Sequence, residues 1–168
     1  NIINLIGLFR IMLGGLTPTE DAVLDRAITE TYAARDITTE SDFTKVTPPT
    51  LSDLALVLAN TEGGDELAVK LKKYTEGTWA GFLNQQTNLN IRNRMVVFSV
   101  RDMEEELRPV AMYIVLHYIW NIVRSELKKR LLVVDEAWWL MRYEDGASFL
   151  FGIANFWLLF LLVKRRFS

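Results

Sequence analysis

Four apolar residues, Leu131-Leu132-Val133-Val134, run straight into two carboxylates, Asp135-Glu136. A continuous apolar run of this kind suits a strand covered on both faces, the habit of central strands in parallel sheets. Such a strand needs a parallel neighbour, and parallel strands need a crossover of a dozen or more residues. The preceding sequence offers both. Met95-Val96-Val97-Phe98-Ser99-Val100 is β-rich and reads as a second buried strand. Between the runs, Arg108-Pro109 leads a helix expected to reach Lys129. It is apolar nearly all round from Val110 to Val123, apart from His117 and Asn121, so it needs cover on most sides. Its basic end, Arg124, Lys128, Lys129 and Arg130, complements the helix dipole. Strand, helix, strand is a right-handed βαβ unit, which predicts an α/β fold.

The two carboxylates then fall at the C-terminal end of the strand, where open α/β sheets hold their ligands. This is the layout of a Walker B element. In it Asp135 holds Mg²⁺, usually through water, and Glu136 polarises the water that attacks a γ-phosphate. A hard cation wants oxygen ligands, and the base must lie one step further on. An ordinary core strand meeting an acidic helix start has the same pattern, so the neighbouring sequence decides. Ala137 to Phe151 reads as a further helix. Trp138 and Trp139 cannot face the same side of it. One packs inward while the other lines a cleft or a subunit contact, or both are simply buried.

Residues 1–90 read as helices. The apolar run from Ile2 to Leu13 stops at Gly14-Gly15. Thr17-Pro18-Thr19-Glu20 has a capping residue, a proline suited to the first helical position, and the Glu of a capping box. The helix that follows carries Val23, Leu24, Ala27, Ile28 and Tyr32 on one broad face. Asp36 to Pro49 is polar and ends in Pro48-Pro49, a linker or long loop. Short helices are expected from Thr50-Leu51-Ser52-Asp53 to about Ala59 and from Asp65 to Tyr74, the latter with Lys70, Lys72 and Lys73 on a solvated face. Gly77-Thr78-Trp79-Ala80-Gly81-Phe82-Leu83-Asn84 contains no GxxxxGK[ST] pattern and no Lys to reach a phosphate. It reads as a turn anchoring Trp79 and Phe82.

Composition excludes several classes of function. The formal net charge of −2 gives no direct nucleic-acid signal. With no cysteine there is no disulfide framework, thiol nucleophile or zinc–thiolate site. The single histidine, His117, rules out a multi-histidine metal site and reads as a satisfied structural residue. The chain does not begin with Met, and its opening apolar run lacks a basic n-region. It reads as an internal start, as in a fragment, and not as a signal peptide.

Several separated segments resemble the large ATPases of conjugative transfer and type IV secretion systems. They are Tyr74-Thr75-Glu76-Gly77-Thr78-Trp79-Ala80-Gly81-Phe82, Thr87-Asn88-Leu89, Asn93-Arg94 with the Met95–Val100 run, the helix after Pro109, and Leu131 to Trp138. They occur in the family's order, and the likeness covers about residues 1 to 154. It implies a partial RecA-like parallel sheet of the P-loop NTPase type, carrying an all-helical subdomain. Residues 1–90 would be that subdomain, and residues 91–168 the partial RecA-like core. By residue match, Asp135 takes the Mg²⁺-water and nucleotide-binding role and Glu136 the catalytic, water-activating role. The resemblance implies ATP and Mg²⁺ as cofactors of an intact member, other secretion-system subunits as partners, and a homo-oligomer, a hexamer in the family. It places the protein in the cytoplasm, at the cytoplasmic face of the inner membrane where it associates with one.

Two departures qualify the resemblance. The phosphate-binding loop that holds most of Mg²⁺–ATP is not in these residues, so the chain alone is expected to be inactive and to bind no nucleotide. After Ala154 the similarity gives way to an apolar tail ending in Lys164-Arg165-Arg166, which suggests a frameshift, a truncation or a misassigned segment. Phe149 to Val163 carries no charge but is short for a membrane span. The alternative function is a non-enzymatic α/β remnant acting as a helical interaction module or a membrane-associated piece.

Overall fold

The structure is a computed structural model that describes residues 2–38, 40–42, 45–86, 93–125 and 128–165; for residues 2, 3 and 156–165 it describes the backbone alone. The chain divides into two units. One comprises Asn1–Ile6 with Leu13–Arg94, the other Gly7–Met12 with Met95–Ser168.

The first helix, α1, runs from Ile2 to Leu13. It ends where Gly14 and Gly15 take φ of +75° and +110°, values that side chains with a Cβ avoid. In the first unit, α2 spans Pro18–Ala33. Its N-terminus is closed reciprocally: the Glu20 N–H donates to Thr17 Oγ1 at 3.2 Å, and the Thr17 N–H donates to Glu20 Oε2 at 2.8 Å. Its other end turns through Asp36, at φ +54°. There the Asp36 N–H donates to the Ala33 carbonyl and the Ile37 N–H to the Tyr32 carbonyl, and Ile37 is buried. This is a Schellman-type stop with a polar residue in the left-handed position.

Helices α3 (Leu51–Ala59) and α4 (Asp65–Thr75) form a hairpin against α2, and the short α5 (Ala80–Leu83) packs on α4. The core of this unit centres on Leu24, Leu58, Leu67 and Leu71, all fully buried. Gly64 closes the hairpin, because a Cβ there would run into the Leu58 carbonyl oxygen. Asn84 locks the far end: its Oδ1 accepts from the Ser52 N–H at 3.0 Å, and its Nδ2 donates to Ser52 Oγ at 2.7 Å and to the Thr75 carbonyl at 3.2 Å. Trp79 is buried as expected, tilted against Tyr74, but Phe82 is exposed. The lysines are less idle than expected. Lys70 Nζ pairs with Glu20 at 2.6 Å and Glu66 at 3.2 Å, and Lys73 Nζ lies 3.9 Å from the Trp79 ring centroid.

The second unit contains α6 (Arg108–Ser125), α7 (Trp138–Met141) and α8 (Glu144–Arg165). Here the α/β expectation is corrected. Among the described residues there is no β-strand, so the partial RecA-like parallel sheet is not present. Neither Met95–Val100 nor Leu131–Val134 exchanges ladder hydrogen bonds. Met95 is 81 % exposed and Leu131 90 %. A strand is defined by its neighbour, not by its own composition. Each run has β-forming residues without a paired run beside it. The crossover helix does form, and its N-terminal half carries most of its buried residues: Pro109, Val110, Ala111, Met112, Tyr113 and Leu116. The helix expected over Ala137–Phe151 is broken. Tyr143 N–H donates to the Leu140 carbonyl at 3.2 Å, and Ala147 N–H to the Tyr143 carbonyl at 2.8 Å, so the chain turns once and restarts.

The Thr87-Asn88-Leu89 segment and Arg166 lie outside the described residues. Among the described residues, no helix is long and apolar enough to cross a membrane.

Candidate functional site

Asp135 and Glu136 stand together at a bend just before α7, both exposed. The Glu136 N–H donates to Asp135 Oδ1 at 2.8 Å, so the aspartate fastens its own turn. Glu136 takes φ +52°. A residue with a Cβ held there costs on the order of 1–3 kcal/mol and persists only where its surroundings over-determine it, and such residues gather at functional sites. Among the described residues the other positive-φ residue with a side chain, Asp36, is accounted for by its helix stop. Glu136 opens a helix instead of closing one, so that explanation does not extend to it.

Glu136 is tied to Trp139 through both backbone and side chain. The Trp139 N–H donates to the Glu136 carbonyl at 3.1 Å, and the indole Nε1–H donates to Glu136 Oε2 at 3.1 Å. Trp139 is only 7 % exposed, whereas Trp138 is 51 % exposed. The two rings nevertheless stack, with centroids 4.2 Å apart and planes 28° from parallel. The Arg108 and Arg142 guanidinium carbons lie 5.3 and 5.7 Å from the Trp139 ring, within reach of a cation–π attraction. Arg108 is itself tied down: Nε donates to the Met103 carbonyl and a terminal nitrogen to the Arg101 carbonyl, each at 3.0 Å.

The structure therefore brings both sequence-predicted site residues to one exposed turn. Sequence reasoning missed Trp139 and Arg108 as their supports. No helical spacing could have flagged the Glu136–Trp139 pair, because Glu136 lies outside α7 at φ +52°. Among the described residues, no group of three or more His, Asp or Glu is placed to hold a metal ion. One or two protein carboxylates with the remaining oxygens from phosphates and water is, however, the usual arrangement for Mg²⁺, and the residues present fit that limited role.

His117 corrects another expectation. It is not satisfied: both ring nitrogens are buried without a hydrogen-bond partner. The ring lies flat on Phe149, centroids 3.6 Å apart and planes 6° from parallel, with Tyr113 at 4.3 Å. Burial holds its pKa down at about 4. Beside it, burial and then the charge of Asp145 push the Tyr113 hydroxyl up to about 12, while Asp145 pairs with Arg10 at 3.1 Å.

The turn, its carboxylates and the helices around it belong to a chain that resembles the type IV secretion ATPases. Among the solved structures that carry this likeness is that of VirB4 from Thermoanaerobacter pseudethanolicus. It is 29 % identical to this chain with a TM-score of 0.74, over 83 % of this chain and 56 % of that one. The present chain thus spans little more than half of the VirB4 chain. No family model matches the sequence, and no curated protein matches it.

Proposed function

We propose that this chain supplies part of the hydrolytic centre of a VirB4-like ATPase of type IV secretion. The likeness to VirB4 over most of the chain carries this reading. The geometry at Glu136 supports it, since a strained, exposed carboxylate braced by a buried tryptophan is costly to keep for packing alone. Mg²⁺–ATP, when bound, supplies the γ-phosphoryl group and neutralises its developing charge. Asp135 would hold the ion through water. Glu136 would take up the proton of the attacking water, for which it must come within hydrogen-bond reach, about 2.6–3.2 Å. The phosphate-binding loop is not in this sequence, so most nucleotide affinity would come from residues outside it. In this reading the protein works in the cytoplasm with other secretion-system subunits and copies of itself, and its hydrolysis powers transfer of DNA or protein.

The test is Glu136→Gln in a longer protein that contains these residues together with a phosphate-binding loop. The amide keeps the shape and loses the base, so turnover should fall by about 10²–10⁴-fold while ATP stays bound. Undiminished turnover would assign the water to another residue.

A second reading follows from the absence of strands among the described residues. In it the chain is a non-enzymatic helical interaction module. A longer protein that carries these residues and a phosphate-binding loop but shows no ATP turnover at all would favour this one.

A further inference from the structure

The geometry points to Trp139 as a positioning residue that fixes the Glu136 carboxylate through its indole N–H. This inference rests on Glu136 acting on water, as proposed above. A glutamate at an exposed turn is free to swing through its side-chain torsions, and a general base must be within reach of one particular water. Trp139 removes that freedom. Its Nε1–H meets Glu136 Oε2 at 3.1 Å. An ionised carboxylate has about four acceptor positions, so one such bond leaves capacity for a water.

The donor is a stiff one. Its ring is buried, Trp138 stacks on it, and the Arg108 and Arg142 guanidinium groups lie against it. Arg108 in turn is held by the Met103 and Arg101 carbonyls. The backbone adds a second tie, since the Trp139 N–H meets the Glu136 carbonyl. A buried indole N–H generally finds some partner. Here the partner is the exposed carboxylate assigned the chemistry, and Glu136 itself adopts φ +52°. Side-chain and backbone ties thus converge on Glu136 from one residue.

Trp139→Phe keeps a smaller aromatic ring for the cation contacts and deletes the donor. In the longer protein defined above, kcat should fall about 10- to 100-fold, the scale of a misplaced catalytic group, with KM for ATP changed by no more than about twofold. Added to Glu136→Gln, the same substitution should cost almost nothing further, because the two residues act as a unit. A normal kcat in Trp139→Phe, with Glu136→Gln inactive, overturns the role of Trp139 and leaves the proposed function standing. A full additional loss on top of Glu136→Gln also overturns it, since that effect would be structural. Normal turnover in Glu136→Gln removes both proposals. An NMR measurement on the 168-residue chain is independent of how the Phe variant folds. Glu136→Ala should move the Trp139 indole N–H resonance and leave that of Trp138 nearly in place. An unmoved Trp139 resonance overturns the inference.

Discussion

His117 makes the stability of the chain fall with acid in a window set by its own ring. An ordinary histidine titrates at 6.5, and burial holds this one at about 4. As pH falls from neutral, the unfolded chain takes up its proton first. Stability is therefore full above about 6.5, declines as the pH drops towards about 4, and levels off below that. The interval of roughly two and a half pH units is worth about 3 kcal/mol at ~1.4 kcal/mol per unit. The residue is only half-buried, so water screens part of this, and about 2 kcal/mol is the expected loss. His117→Phe provides the control. It keeps a flat ring on Phe149 and removes two buried nitrogens that have no partner. It should be more stable than the native chain at pH 7 by about 1–2 kcal/mol, the scale of an unsatisfied buried polar group. It should also lack the loss between pH 6.5 and 4. Urea unfolding followed by circular dichroism at pH 7, 5.5 and 4.5 measures both quantities. The same acid slope in the Phe variant, or an NMR titration of His117 at 6.5 or above, would refute the reasoning.

Other outcomes follow from the first unit and from the sequence. Thr17→Ala opens the reciprocal cap of α2 and should cost about 1 kcal/mol in urea unfolding. Gly64→Ala drives a Cβ into the Leu58 carbonyl and should cost about 2 kcal/mol or more, whereas Gly81→Ala, with open space around it, should be neutral or stabilise by about 0.5–1 kcal/mol; thermal melts separate the two. Asn84→Ala breaks three hydrogen bonds joining the start of α3 to the end of α4 and should destabilise by about 1–3 kcal/mol. Calorimetric titration of the 168-residue chain with Mg²⁺–ATP should show no micromolar binding, because the sequence has no phosphate-binding loop.

Local signals in the sequence translated well into structure. The Thr17/Glu20 box, the Thr50–Asp53 start and the glycine stop after Leu13 all occur where their chemistry places them, because caps are made by residues three apart or closer. The absence of the expected sheet among the described residues was not legible, since a ladder is made by chain brought in from a distance. Val96, Val97, Leu132 and Val133 favour a strand but cannot supply its neighbour. The break at Arg142–Tyr143 carries neither proline nor glycine to announce it. Asp135 and Glu136 could be singled out because carboxylates after an apolar run form a recognisable pattern. Trp139 could not, because its role depends on the backbone geometry of Glu136 and on Arg108, which lies 31 positions earlier in the chain.

Single-turnover hydrolysis tests the central claim most directly, because it reads the chemical step apart from binding and release. With ATP already bound to the longer protein that carries these residues and a phosphate-binding loop, Glu136→Gln should slow that step by about 10²–10⁴-fold. A step within twofold of the native rate would contradict the assignment of Glu136 to the attacking water.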